Sequence, residues 1–410
     1  MVASAQIDDK IQFNRPYLTG NELKYVGQAH LLGQLAGDGA FTKRCEAWLE
    51  KLGTSKALLT HSCTAALEMA ALLCDLREGD EVIMPSYTFV STANAFALRG
   101  GIPVFVDIRS DTLNIDEQLI EASITNRTKA IVAVHYAGVA CEMDTIMNIA
   151  KRHNLIVIED AAQACLASYK GRALGTIADL GCFSFHETKN IISGEGGALM
   201  INRKDLISRA EIIREKGTNR SQFFRGEIDK YTWRDIGSSF LPGEIIAAFL
   251  WAQMEAAYDI TDRRLAIWNR YNQGLIGHTD ILKTPTIPAE CHHNGHMFYV
   301  IPNERFERAH VIASLKHQGI HSVFHYVPLH SSQFGLKIGK TYANCLPVTD
   351  FISNQLIRLP FWVGLSAESQ GQVIKTLLNA VGLSEKETDL TPIRHHKLSI
   401  RKNSTQFIPV

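Results

Sequence analysis

The 410-residue sequence has no surplus of either charge, because 42 Lys and Arg are balanced by 42 Asp and Glu. That balance excludes the broad basic field of a protein built for nucleic acid or a membrane surface. There is no Cys-x-x-Cys pair, and the eight cysteines (45, 63, 74, 141, 165, 182, 291, 345) are scattered, mostly through apolar runs. Such usage belongs to a reducing compartment and argues against a disulfide scaffold or a zinc ribbon. His292, His293 and His296 lie close together without a cysteine or carboxylate at ligand spacing, so no metal is expected. Long apolar runs are also missing. The longest uncharged stretch, 82–98, holds Pro85, Ser86, Thr88, Ser91, Thr92 and Asn94, too polar and too short to span a bilayer. With Asp8, Asp9 and Lys10 in place of an apolar leader core, a cytoplasmic protein is expected.

What is present is 46% hydrophobic residues against 20% charged ones, enough for a folded core. From residue 56 to 202 short apolar runs (57–59, 81–84, 103–106, 130–134, 155–158, 182–185, 198–201) alternate with helical stretches (64–74, 90–98, 116–123, 144–153). Strand–helix alternation predicts an α/β fold, a mainly parallel sheet covered by helices on both faces. The chain divides into an N-terminal arm (1–40), a large domain (41–280), a smaller α+β domain (281–382) and a polar tail (383–410) with the composition of a disordered segment. In the small domain, strands are expected at 297–301 and 323–327, and helices at 306–318 and 368–378.

In open α/β sheets, ligands bind beyond the carboxyl ends of the strands. Four polar features fall there. Ser62-Cys63-Thr64 opens a helix and offers free amides and hydroxyls to an anion, or simply an N-cap. Phe89 follows a strand end, where an aromatic ring stacks on a flat ligand or packs into the core. Asp160 ends an apolar strand, so its carboxylate needs a partner. Lys189 sits on a loop between two apolar strands, ahead of the turn Gly194-Glu195-Gly196-Gly197, where a desolvated amine can meet a carbonyl. An anion cradle, a stacking ring, a carboxylate and a lysine together describe a pyridoxal phosphate site.

The run Phe183-Ser184-Phe185-His186-Glu187-Thr188-Lys189-Asn190, with Ser62-Cys63-Thr64-Ala65-Ala66-Leu67 and Glu159-Asp160-Ala161-Ala162-Gln163 in the same order, resembles the DegT/DnrJ/EryC1/StrS sugar aminotransferases. The resemblance runs from about Phe13 to Leu378 and implies the type I, aspartate aminotransferase-like fold. Within the family, Cys141-Glu142-Met143-Asp144 and Lys216-Gly217-Thr218-Asn219-Arg220-Ser221 look closest to the branch that makes dTDP-4-amino-4,6-dideoxygalactose for enterobacterial common antigen.

Carried over by residue, the resemblance implies that Lys189 is the Schiff-base lysine and proton shuttle, and that Asp160 pairs with the ring nitrogen of the cofactor. Gln163 would reach the ring hydroxyl and Phe89 the ring face, with Cys63 (through its amide), Thr64 and Ser184 on the phosphate. Ser239 stands where many relatives place a partner-subunit asparagine, which implies a homodimer with shared sites. His186, His325 and His330 are candidate substrate contacts; the other reading for each is a capped or packed turn. Related sugar 3-dehydratases carry histidine at the lysine position, so Lys189 favours transamination. The implied reaction moves an amino group from L-glutamate to C4 of dTDP-4-keto-6-deoxyglucose. A C4-epimeric or C3 amino product, and a non-catalytic sugar-nucleotide-binding protein, are the competing readings.

Overall fold

The computed structural model describes residues 10–383; the first nine residues and the polar tail from 384 onward lie outside the described residues. The large domain is built on β1 (Lys56–Thr60), β2 (Glu81–Pro85), β3 (Ile102–Val106), β4 (Thr128–Val134), β5 (Ile156–Asp160), β6 (Leu180–Ser184) and β7 (Gly197–Ile201). Two short strands follow in the chain, β8 (Leu282–Lys283) and β9 (Tyr299–Pro302), and then β10 (Lys340–Thr341) and β11 (Ile357–Arg358). The main sheet runs β1-β7-β6-β5-β4-β2-β3-β10. It is parallel from β6 through β10, whereas β7 pairs antiparallel with both β1 and β6.

Both faces of this sheet are buried. Ile83, Ile131, Ala133 and Val157 enter one core cluster, while their neighbours Val82, Met84, Val132 and Ile158 enter another. Side chains alternate across a strand, so a continuous apolar run is what a doubly covered sheet requires. Burying each such Val, Ile or Leu stabilises the fold by roughly 1.5–3 kcal/mol. The second, smaller sheet, β8-β9-β11, carries its own core of Phe298, Val300, Ile357 and Leu377.

One expectation is corrected, and one helix was not foreseen. The arm at 1–40 contains a helix, α1 (Glu22–Leu32), whose leucines Leu23 and Leu31 are 83% and 85% exposed. Only Glu22 and Ala29 are buried along it, so no apolar stripe marks it in the sequence. The Glu22 carboxylate caps the amides of Thr19 and Gly20 and accepts from Gln253 Nε2, which ties the arm to the body. The strand expected at 323–327 has not formed; only Val323 bridges to Arg358. The rings of the consecutive residues His325 and Tyr326 stack at 3.7 Å, which strand geometry forbids because neighbours point to opposite faces. Among the described residues no helix is long and apolar enough to cross a membrane.

Candidate active site

At the carboxyl end of β5, Glu159 and Asp160 point to opposite faces of the sheet, and each carboxylate is held differently. Asp160, 5% exposed, accepts from Thr92 Oγ1 at 2.7 Å and from the Ala162 amide at 3.2 Å. Thr92 has one hydroxyl proton and gives it to Asp160, so Thr88, 2.9 Å away, must donate to Thr92. Glu159 is fully buried and accepts four hydrogen bonds. Three come from the amides of Gly175, Ile177 and Ala178, each at 2.7 Å, and one from His135 Nε2 at 3.0 Å. His135 Nδ1 accepts from the Cys141 amide, which fixes the ring proton on Nε2.

Lys189 sits on the connection between β6 and β7. That loop is closed by Lys189 N donating to His186 O, Glu187 N to Gly194 O and Phe185 N to Gly196 O, with Gly194 at φ +80°. Only glycine takes that φ without strain. The Lys189 amine has no hydrogen bond or ion pair among the described residues. Burial pushes it below the ordinary lysine value, against the opposing pull of Asp160. His186 does not reach away from its loop: its Nδ1 accepts from the Thr188 amide at 3.2 Å and lies 2.9 Å from Thr188 Oγ1.

Beside this loop, a helix of residues Cys63–Leu73 is capped by Ser62, whose hydroxyl accepts from the Ala65 amide at 3.0 Å. The first-turn amides of Cys63 and Thr64 have no acceptor among the described residues, the usual state of helix-start donors. Thr64 Oγ1 lies 2.8 Å from Ser91 Oγ, and Ser184 Oγ, on β6, receives only a long 3.4 Å contact from the His186 amide. Gly197 is glycine for a steric reason: a Cβ there would lie 2.4 Å from Cys63 N. Phe89 is 57% exposed and touches the Tyr326 ring at 6.4 Å between centroids, leaving most of its surface open. Gln163 Oε1 accepts from the Ala137 amide at 2.7 Å, and Nε2 donates to Tyr326 Oη at 2.8 Å, which fixes the orientation of its amide.

The DegT/DnrJ/EryC1/StrS aminotransferase profile matches residues 16–378, most of the chain. The chain belongs to this family. It is 33% identical over 386 residues to the spore coat polysaccharide biosynthesis protein SpsC of Bacillus subtilis, covering 90% of this chain and 97% of SpsC. It is also 34% identical over 342 residues to an uncharacterised protein of Methanocaldococcus jannaschii, covering 82% and 88%. Among solved structures, Helicobacter pylori PseC, an aminotransferase of pseudaminic acid biosynthesis, superposes with a TM-score of 0.83 at 26% identity, covering 91% of this chain and 99% of PseC. The PLP form of a putative sugar aminotransferase, Spr1654 of Streptococcus pneumoniae, gives 0.82 at 26% identity, covering 91% and 98%.

The fold is therefore type I, and the chain is a pyridoxal phosphate-dependent sugar aminotransferase. Its residues fit that cofactor: an unpartnered amine, two free helix-start amides with no Cβ in their way, a buried carboxylate and an open aromatic face.

The remaining sequence candidates lie as follows. His325 is 9% exposed, with Nδ1 2.7 Å from Tyr136 Oη, and burial drives it well below the ordinary histidine value, helped by Arg358 and Lys189. His330 clamps the strand-end loop of β2: Ser86 Oγ accepts from its amide at 3.0 Å and donates to its Nδ1 at 2.8 Å. Ser239 is exposed, and its hydroxyl has no hydrogen bond among the described residues. No cluster of histidine, cysteine and carboxylates suited to a metal occurs among the described residues.

Several residues that hold the site escaped the sequence reading. Thr92 carried a weak signal, as one of two threonines four apart at a helix start. Asn294 Nδ2 donates to the carbonyls of Gln163 and Cys165, and its own carbonyl accepts from Asn190 Nδ2. His296 Nδ1 lies 3.0 Å from Asn190 Oδ1. The 294–296 segment thus braces both the Gln163 turn and the Lys189 loop across a separation of about a hundred residues, and no local pattern announces that.

Proposed function

We propose that this enzyme transfers the amino group of L-glutamate to C4 of dTDP-4-keto-6-deoxy-D-glucose. The product would be dTDP-4-amino-4,6-dideoxy-D-galactose, for a surface polysaccharide of the enterobacterial common antigen or O-antigen type. The observation that carries transamination is the unpartnered Lys189 amine with Asp160 nearby. The choice of sugar rests on the motif runs around 141, 183 and 216.

Bound pyridoxal phosphate supplies a carbonyl that condenses with amines and a ring that accepts the electrons left by a departing α-proton. The chain does the rest. Lys189 Nζ, held below the ordinary lysine value by burial, is available to take a proton at one carbon and return it at another. Asp160 presents its carboxylate to the ring nitrogen and is fixed in place by Thr92 and the Ala162 amide. The Cys63 amide, Thr64 and Ser184 hold the phosphate, and Gln163 meets the ring hydroxyl through its remaining amide proton. Phe89 covers the ring. Ser239 of the partner subunit completes the phosphate site in a homodimer. His186, His325 and His330 are each bonded through Nδ1, to Thr188, Tyr136 and Ser86, and stay candidate contacts for the sugar.

The test is incubation with dTDP-4-keto-6-deoxyglucose and L-glutamate, with NMR of the product. An axial amine at C4, formed with one 2-oxoglutarate per turnover, supports the proposal. An equatorial C4 amine or a C3 amine overturns it.

A further inference from the structure

Three of the groups assigned above to the cofactor meet the first turn of one helix, Val90–Ala97. Phe89, assigned to the ring face, is the N-cap residue of that helix. Ser91 Oγ lies 2.8 Å from the Oγ1 of Thr64, assigned to the phosphate. Thr92 Oγ1 donates at 2.7 Å to the Oδ2 of Asp160, assigned to the ring nitrogen. Successive residues of a helix point about 100° apart, so Ser91 and Thr92 address different groups. Thr92 also closes the turn on itself: its amide donates to the Phe89 carbonyl at 3.2 Å while its hydroxyl reaches the end of β5.

The direction of this hydroxyl chain is fixed. Thr88 and Thr92 are both buried, and Thr92 spends its one proton on Asp160, so Thr88 Oγ1, 2.9 Å away, donates to Thr92. A hydroxyl that accepts a hydrogen bond becomes a stronger donor through its own proton. Asp160 thus receives a donor on each oxygen, Thr92 on Oδ2 and the Ala162 amide on Oδ1. Together they set the plane of the carboxylate. Valine at 92 would keep the branched shape and lose the hydroxyl, leaving one carboxylate oxygen without its donor and the carboxylate free to turn. We propose that Thr92, polarised by Thr88, is a positioning residue that aims the Asp160 carboxylate at the cofactor's ring nitrogen, in register with the ring face at Phe89. The assignment rests on the pairing of Asp160 with the ring nitrogen proposed above. Thr92 acts through Asp160 and needs no contact with the reacting atoms.

The experiment resolves full-length enzyme to its apo form and measures its affinity for pyridoxal phosphate and for deazapyridoxal phosphate, in which C–H replaces the ring nitrogen. Both ligands carry the same aldehyde and phosphate, so the affinity ratio isolates the ring nitrogen. Thr92→Val is expected to cut the ratio by about tenfold, the value of one hydrogen bond to a charged group. Thr92→Ser keeps the hydroxyl and should restore the ratio. Ser91→Ala, one residue away on the same turn, should weaken both ligands alike and leave the ratio as in wild type. Thr88→Val keeps the Thr92–Asp160 bond and should lower the ratio by a smaller factor; it carries the test should Thr92→Val fail to fold. An unchanged ratio in the valine variants overturns the proposal. So does a drop that Thr92→Ser does not restore, or an equal drop in Ser91→Ala, since either would mean a general loosening of the turn. Asp160→Asn tests the pairing beneath the proposal. If Asp160→Asn keeps the wild-type ratio, the pairing falls and takes the Thr92 assignment with it; if Asp160→Asn collapses the ratio and Thr92→Val leaves it unchanged, only the Thr92 assignment falls.

Discussion

Glu159→Gln looks conservative and should be one of the most damaging substitutions in the large domain. The Glu159 carboxylate is fully buried and faces donors only: three backbone amides at 2.7 Å and His135 Nε2 at 3.0 Å. Two of the four donors address each oxygen. A glutamine must turn its NH2 toward one of those pairs, which loses two charge-assisted bonds and sets N–H against N–H. His135 cannot rescue the site by changing tautomer, because its Nδ1 already accepts from the Cys141 amide. At about 1.5–3 kcal/mol for each bond to a charged group, the loss is about 3–6 kcal/mol. That is a large part of the 5–15 kcal/mol or so that typically holds a domain together. Urea unfolding of the apoenzyme, read by tryptophan fluorescence, measures it. A loss below about 1 kcal/mol would refute the argument, since it would mean that water or a relaxed loop already serves those amides.

Three further outcomes are expected. Lys189 has a lower pKa folded than its ordinary 10.5, so the unfolded chain holds more protons between those values. Apoenzyme stability should therefore rise with pH through that window, and Lys189→Met should flatten the rise in urea midpoints measured from pH 7 to 10. His325 is pushed well below 6.5, so the stability tied to its neutral form is complete above 6.5 and is lost as pH falls beneath it. The melting temperature of wild type should fall more steeply between pH 7 and 5 than that of His325→Gln. Gly197→Ala puts a methyl 2.4 Å from Cys63 N and should weaken pyridoxal phosphate binding by about tenfold or more, as followed by cofactor fluorescence, while the far-ultraviolet dichroism is kept.

Much of this protein is legible in its sequence because its determinants are local. Apolar runs at 81–84, 130–134 and 155–158 read as buried parallel strands, since a strand covered on both faces needs apolar residues at every position. The strand-end placement of Ser62, Asp160 and Lys189 follows from the same alternation, because a side chain's position along a strand fixes which end it occupies. The helix α1 was not legible, because it buries a glutamate and an alanine while exposing its leucines. Nor was the loss of the expected strand at 323–327, where side-chain stacking in the tertiary fold overrides β propensity.

The sequence alone determined the sheet, the family and the set of reactive groups, since each depends on spacing along one stretch of chain. Only the tertiary structure decided how those groups are held. Thr92 reaches Asp160 across 68 residues, and Asn294 reaches Gln163 across 131. It also showed the rings of His186, His325 and His330 bonded at Nδ1 to Thr188, Tyr136 and Ser86. Hydrogen bonds between distant segments obey no local period, so they are settled only when the chain has folded.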